Sequence, residues 1–205
     1  ILDVINQYTL ELFMNRKIAE RDQRKKIILD GALKSFSANG IDGMTMDNIA
    51  SESDFGKATI YYYFPSKEDI ICSLMETGWK DLWESVEEMV IENISAKKKF
   101  IKILNQMADI VFQNKILYEF LFTAPRNINL PEDKESWKIF QKRTYATLQS
   151  IVDEGVEKGD FKDIKPELFM KAVGGIFHGI VFMGDQKKLE EKDIESLISN
   201  FIYPS

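Results

Sequence analysis

Residues 45–67 read TMDNIASESDFGKATIYYYFPSK, and the fold turns on how this stretch is parsed. It contains two short helical patterns separated by the four residues Ser53-Asp54-Phe55-Gly56. A helix-turn-helix needs a small residue where its second helix crosses the first, and Ala50 supplies it. Four positions later the turn needs a residue that tolerates positive φ, and Asp54 is among the types that do. Phe55 then plugs the angle between the helices, while Ile60 and Phe64 recur at the helical period to seat the second. Thr45 is placed to cap the first helix, with Ile49 facing inward, and Pro65 halts the second.

Working outward, the preceding helix is expected over Arg24 to Ala38, with the stripe Ile28, Ala32, Leu33 and Phe36 and a left-handed stop at Asn39-Gly40. Ser66, with Asp69 three residues on, resembles a capping box opening a long helix to about Asn93. Ser95 can cap a helix bearing Phe100, Ile103, Leu104, Met107, Ile110 and Val111, and a shorter one spans Ile116 to Phe122. Thr123–Pro131 is the clearest loop, with two prolines and two asparagines. Helices follow over Glu132 to Lys158, stopping at Gly159, then Pro166 to Met183, then Glu191 to Ile202. Nothing alternates as a strand. The expected fold is all-α: an N-terminal three-helix head with a helix-turn-helix, plus a helical body. The expected division is 1–20 as an N-terminal extension or arm, 21–67 as the helix-turn-helix head, and 68–205 as the body.

Composition narrows the chemistry. The 205 residues are 44% hydrophobic and 29% charged, as in an ordinary soluble globular chain. No apolar run approaches the roughly 20 residues a membrane span requires, and no segment has signal-peptide organisation, so a cytoplasmic protein is expected. Cys72 is the sole cysteine and His178 the sole histidine. A multi-histidine metal centre is therefore impossible, and no Gly-rich phosphate loop follows a strand. No metal, cofactor or catalytic residue is expected, and the chain is read as not an enzyme. Net charge is −6, yet residues 14–67 carry nine Lys/Arg against seven Asp/Glu, while 68–205 carry eighteen against twenty-four. A weakly basic head on an acidic body suits presenting one end to phosphates.

Residues 45–67 resemble the DNA-binding signature of TetR-family regulators. KATIYYYF (57–64) and PSKEDI (65–70) are similar to that family's recognition helix and the start of its fourth helix, and GDFKDIKPELFMKAVGGIFHGI (159–180) resembles its penultimate-helix region. Two positions depart from the pattern: Asp54 stands where the family usually has Gly, and Gly56 where it often has Ser. The resemblance implies a recognition helix in the major groove, with Gly56, Lys57 and Ala58 nearest the bases. Lys57 is the expected reader of a guanine O6/N7 edge. Thr59 offers a hydroxyl to phosphate or a methyl to thymine, and Tyr61, Tyr62 and Tyr63 direct phenols to the backbone, although one of the three is free to pack against a neighbouring helix. Lys67 is expected on a phosphate at the start of helix four, and Thr45 on the opposite phosphate wall. Asp47 and Glu52 read as simply solvated. An ordinary amphipathic surface is the competing reading of the whole helix.

The resemblance makes 21–67 the DNA-binding domain and 68–205 a helical ligand-binding and dimerisation body, and it implies that helices 132–158 and 165–183 pair with their copies in a homodimer. Gly174, Gly175 and Gly179 interrupt an apolar helix at about 1 kcal/mol each relative to alanine, which suggests a close helix–helix approach there, with Ile151 beside it; a kinked helix is the alternative. Trp79, Trp83, Met107 and Phe112 are candidate linings of an effector pocket, as are Phe120, Phe122, Trp137, Phe140 and His178, although such residues are also ordinary core. They favour a small hydrophobic or aromatic effector over a sugar or nucleotide. The expected protein is a ligand-responsive regulator, taken as a repressor, binding a near-palindromic operator in double-stranded DNA as a dimer, with helix four as the lever and no membrane partner. The alternative is a helical small-molecule carrier whose head no longer binds DNA. Residues 1–13 (an upstream extension, an expression remnant or a docking segment) have no assigned role, and neither effector nor operator can be named from sequence.

Overall fold

A computed structural model describes residues 2–123, 130, 135–161, 165–183, 190 and 192–196. Eight helices follow in chain order: α1 (Leu2–Gly43), α2 (Met46–Glu52), α3 (Lys57–Tyr63), α4 (Lys67–Val90), α5 (Ala96–Gln113), α6 (Lys115–Thr123), α7 (Lys138–Glu157) and α8 (Pro166–Met183). No strand occurs among the described residues. Contacts divide the chain into two compact units, 1–73 and 74–205, so the division falls inside α4 rather than at its start.

In the first unit the helices follow from where apolar residues begin and where caps are available. Helix α1 starts at Leu2 rather than at Arg24, because nothing between breaks it: residues 2–30 contain neither glycine nor proline. Residues 13–24 are exposed throughout, and the core face opens only at Ile28 and Ala32, both fully buried. Gly40 takes φ 66° and ψ −174°, so the expected interruption is present as a kink, after which one helical turn reaches Gly43. At Gly31 the helix meets the end of α2 so closely that a Cβ there would lie 2.8 Å from Ser53 Cβ and 3.0 Å from Ser53 N. Ile49, Ile60, Phe64 and Ile70 complete this small core.

In the second unit, α5 buries Phe100, Ile103, Leu104, Met107 and Val111, five of the six residues its helical period had singled out, and leaves Ile110 half-buried. Leu117, Tyr118, Phe120 and Leu121 of α6 and Trp79, Leu82, Trp83 and Val86 of α4 are equally buried. The Tyr118 hydroxyl donates to the Gly78 carbonyl at 3.3 Å, and burial pushes its pKa well above the usual phenol value. After α7 the chain turns at Gly159 (φ 77°) and returns Phe161 to Gly155, where its backbone N–H donates to the Gly155 carbonyl at 3.0 Å. Phe100, Phe161 and Phe169 close this end with centroids 5.5–6.0 Å apart. Helix α7 begins at Lys138, with Trp137 at its cap, whereas its start was expected near Glu132; residues 131–134 lie outside the described residues. Most of the Thr123–Pro131 loop and of the last expected helix also lies outside them, residues 192–196 being helical.

Candidate nucleic-acid interface and aromatic cluster

The turn is built by backbone hydrogen bonds that the sequence makes possible. Helix α2 is opened by Thr45, whose side chain accepts from the Asn48 N–H at 3.2 Å, while the Asn48 amide donates to the Gly43 carbonyl at 2.8 Å. It is closed by a Schellman arrangement. Phe55 N–H donates to the Ala50 carbonyl at 3.1 Å and Asp54 N–H to the Ser51 carbonyl at 3.4 Å, around Asp54 at φ 55°. Asp54 is the one non-glycine with positive φ among the described residues. A carboxylate side chain tolerates that conformation better than a branched one, which is how the turn survives without glycine. The Ser53 hydroxyl is spent on the Ile49 carbonyl at 2.6 Å.

Gly56 caps α3 with no side-chain bond, in keeping with its missing hydroxyl, and the helix then presents Lys57, Ala58, Tyr61 and Tyr62 to solvent. Tyr62 is 72% exposed and Tyr61 45%, whereas Thr59 and Tyr63 are half-buried. Tyr63 meets the edge of Tyr62 at 5.1 Å.

Two side chains depart from expectation. Asp47 is not simply solvated: its Oδ1 lies 2.7 Å and its Oδ2 3.0 Å from Lys57 Nζ, and this hydrogen-bonded charge raises the Lys57 pKa. Ten residues separate the two across a turn, so no helical spacing rule would have paired them. Lys67 donates from Nζ to the Ile41 carbonyl at 2.7 Å and is half-buried, stitching the start of α4 to the end of α1. A phosphate would have to share or displace that bond. Arg16, Lys17, Arg21, Arg24 and Lys26 lie in exposed positions along α1, and Lys25 sits 5.8 Å over the Phe64 ring.

In the second unit Trp79 belongs to a ring cluster centred on Phe122. It lies 5.9 Å from Phe122 and 5.7 Å from Tyr145, and Phe122 in turn meets His178 at 6.3 Å and Phe182 at 5.6 Å. Arg143 stacks 4.2 Å over Trp83 and pairs with Glu87. Tyr145 and Phe182 were missed because a helical wheel does not rank one aromatic above another, and Arg143 because its contacts with Trp83 and Glu87 cross between helices. Phe120, Met107 and Trp137 are buried as core, and Phe140 is half-buried. Phe112 is 46% exposed on α5, which leaves it little to line. The indole N–H groups of Trp79, Trp83 and Trp137 and the Asn105 amide nitrogen are buried without an acceptor among the described residues.

The expected pairing face is divided. Ile151 is 4% exposed within its own chain and has little surface to offer a partner. A Cβ at Gly174, Gly175 or Gly179 would meet nothing within 4 Å among the described residues, while Leu168 and Met183 on the same helix are 58% and 81% exposed. No helix of the described residues is long and apolar enough to cross a membrane, and no described cluster of His, Cys, Asp and Glu could hold a metal.

Residues 28–74 match the family described as bacterial regulatory proteins, tetR family. An uncharacterized HTH-type transcriptional regulator, YhgD of Bacillus subtilis (strain 168), is 22% identical over 87% of this chain and 94% of its own. The transcriptional regulator FadR from Bacillus subtilis, solved in complex with stearoyl-CoA, superposes with a TM-score of 0.70 at 25% identity, over 86% of this chain and 97% of its own. AibR, solved with isovaleryl coenzyme A and operator DNA, gives 0.75 at 16% identity over 88% and 98%.

Proposed function

We propose, from the premise that this chain belongs to the TetR family of transcriptional regulators, that it represses transcription from a near-palindromic operator and is released by an apolar effector carrying a hydrogen-bond acceptor. The observation that carries the DNA half is α3. It is held by a turn with both Schellman bonds made, and it shows solvent one lysine, one alanine and two tyrosines. Lys57 reaches base edges, Tyr61 and Tyr62 lie along phosphate and sugar, and the exposed cations of α1 supply attraction that does not depend on sequence. Two such heads on a twofold axis require a dimer, and the uncovered α8 face with its three glycines supports pairing there.

The effector half rests on buried donors. An indole N–H without an acceptor costs about 1–3 kcal/mol, and the described residues leave three of them, of which Trp79 lies against Phe122 and Tyr145. A ligand oxygen at that cluster would satisfy the Trp79 donor. The acyl thioesters named for FadR and AibR share that chemistry, an apolar chain joined to a carbonyl oxygen, and that supports this class over a purely hydrocarbon ligand. Helix α4 carries the chain from the first unit into the second, so it is the path by which an effector preferring one arrangement of the heads would change affinity for DNA. The cytoplasm is the corresponding compartment.

The test is an anisotropy titration against a duplex enriched from a random pool by the protein itself, at fixed salt, with and without a long-chain acyl thioester. Tight, selective binding that weakens when the thioester is added supports the reading. Equal affinity for a shuffled duplex sinks the regulator and favours a carrier.

A further inference from the structure

Between residues 45 and 66 the chain has one Lys/Arg, Lys57, and three Asp/Glu, so the reading segment is itself net negative. The cations that favour phosphates are elsewhere, along α1. Lys57 is also not free, since both oxygens of Asp47 hold its ammonium. Asp47 is fixed in place by the first turn of α2, which Thr45 and Asn48 anchor at its start. Both partners remain more than half exposed, 53% for Lys57 and 69% for Asp47, so the ammonium is reachable from outside while it stays paired.

We propose that Asp47 is a specificity-determining residue: it holds the Lys57 ammonium in neutral company until a base edge offers a better geometry than a phosphate does. The inference rests on the reading of α3 as the DNA-reading helix. An ammonium has three protons, and two directed at the carboxylate leave one for a guanine O6 or N7 while the pair stays intact. A phosphate, by contrast, must approach alongside the Asp47 charge. Random DNA therefore gains little from Lys57, and the correct site gains a contact already aimed. Asp47 touches no base in this scheme; it acts by placing and neutralising Lys57.

The experiment uses the full chain, unmodified and as Asp47→Asn, Lys57→Met and the double variant, on the enriched duplex and on a shuffled duplex of equal composition, across 50–200 mM salt. Asp47→Asn should tighten binding to the shuffled duplex at low salt and steepen its log–log salt slope by about 0.9, roughly a 3.5-fold greater loss over that range. Selectivity should fall accordingly. With Lys57→Met in place, Asp47→Asn should change the slope much less. Asp47→Ser provides a second replacement should the asparagine variant unfold, checked by its melting curve. An unchanged slope and ratio, or the same gain without Lys57, overturns the proposal while selective binding by the unmodified protein keeps the regulator reading. Equal binding of both duplexes by the unmodified protein overturns that reading and the proposal with it.

Discussion

Glycine is used in two opposite ways in α1, in the first unit, and α8, in the second. At Gly31 of α1 a Cβ would collide with the backbone of Ser53 at 3.0–3.1 Å, and the residue is small because its own chain leaves no room. At Gly174, Gly175 and Gly179 of α8 a Cβ would meet nothing within 4 Å among the described residues, and the helix still bears the cost of three glycines. The first pattern belongs to a unit whose packing closes on itself. The second belongs to a face left open among the described residues, where the proposed dimer would place a second copy. Small residues in a single chain therefore mean different things according to whether the space beside them is filled.

The largest expected effect comes from filling the closed site. Gly31→Val should cost roughly 2 kcal/mol, because backbone atoms of α2 cannot step aside, and should abolish DNA binding; denaturant unfolding measures it. A neutral outcome would break the contrast. Gly175→Leu should leave the unfolding of a dilute chain unchanged or improved, yet weaken self-association at least tenfold, or about 1.4 kcal/mol, by sedimentation. Unaltered association would remove α8 from the interface.

Two smaller effects sharpen the contrast inside the second unit. Tyr118 donates to Gly78 from a buried position, and its raised pKa means that the folded chain keeps a proton the unfolded chain loses as pH passes about 10. Its contribution is thus complete below that pH and declines above it, by about 0.8 kcal/mol half a unit higher. Tyr118→Phe should flatten this part of the alkaline unfolding profile. Gly78→Ala should cost about 1 kcal/mol, less than at Gly31, since its Cβ crowds the side chain of the buried Leu121 rather than backbone and the helix gains propensity. A loss as large as at Gly31 would show that the unit is packed rigidly there too.

What sequence made legible was local. The caps at Thr45 and Ser95, the positive φ at Asp54 and the halt before Pro65 each depend on residues a few positions apart, and each is present. The apolar stripe of α5 was equally readable, because burial follows the helical period. Pairings across turns were not. Nothing in the spacing joins Asp47 to Lys57 or Lys67 to the Ile41 carbonyl, and both change what those lysines are free to do. The start of α1 was misjudged for a different reason: the polar stretch before Ile28 carries no core signal, although it has no breaker either. In the aromatic cluster, composition gave the residue types, but only the fold singles out Tyr145 and Phe182 as neighbours of the rings around Trp79.

The distribution of indoles has a practical consequence. All three tryptophans lie in the second unit, each at most 5% exposed, while the first unit absorbs and emits through tyrosine alone. Excited near 295 nm, the protein therefore carries a chromophore set confined to one unit. Operator DNA titrated onto the heads should leave the colour of that emission almost unmoved, and an effector that gives Trp79 or Trp83 an acceptor should shift it directly. The two binding events could then be followed in one cuvette with no label attached.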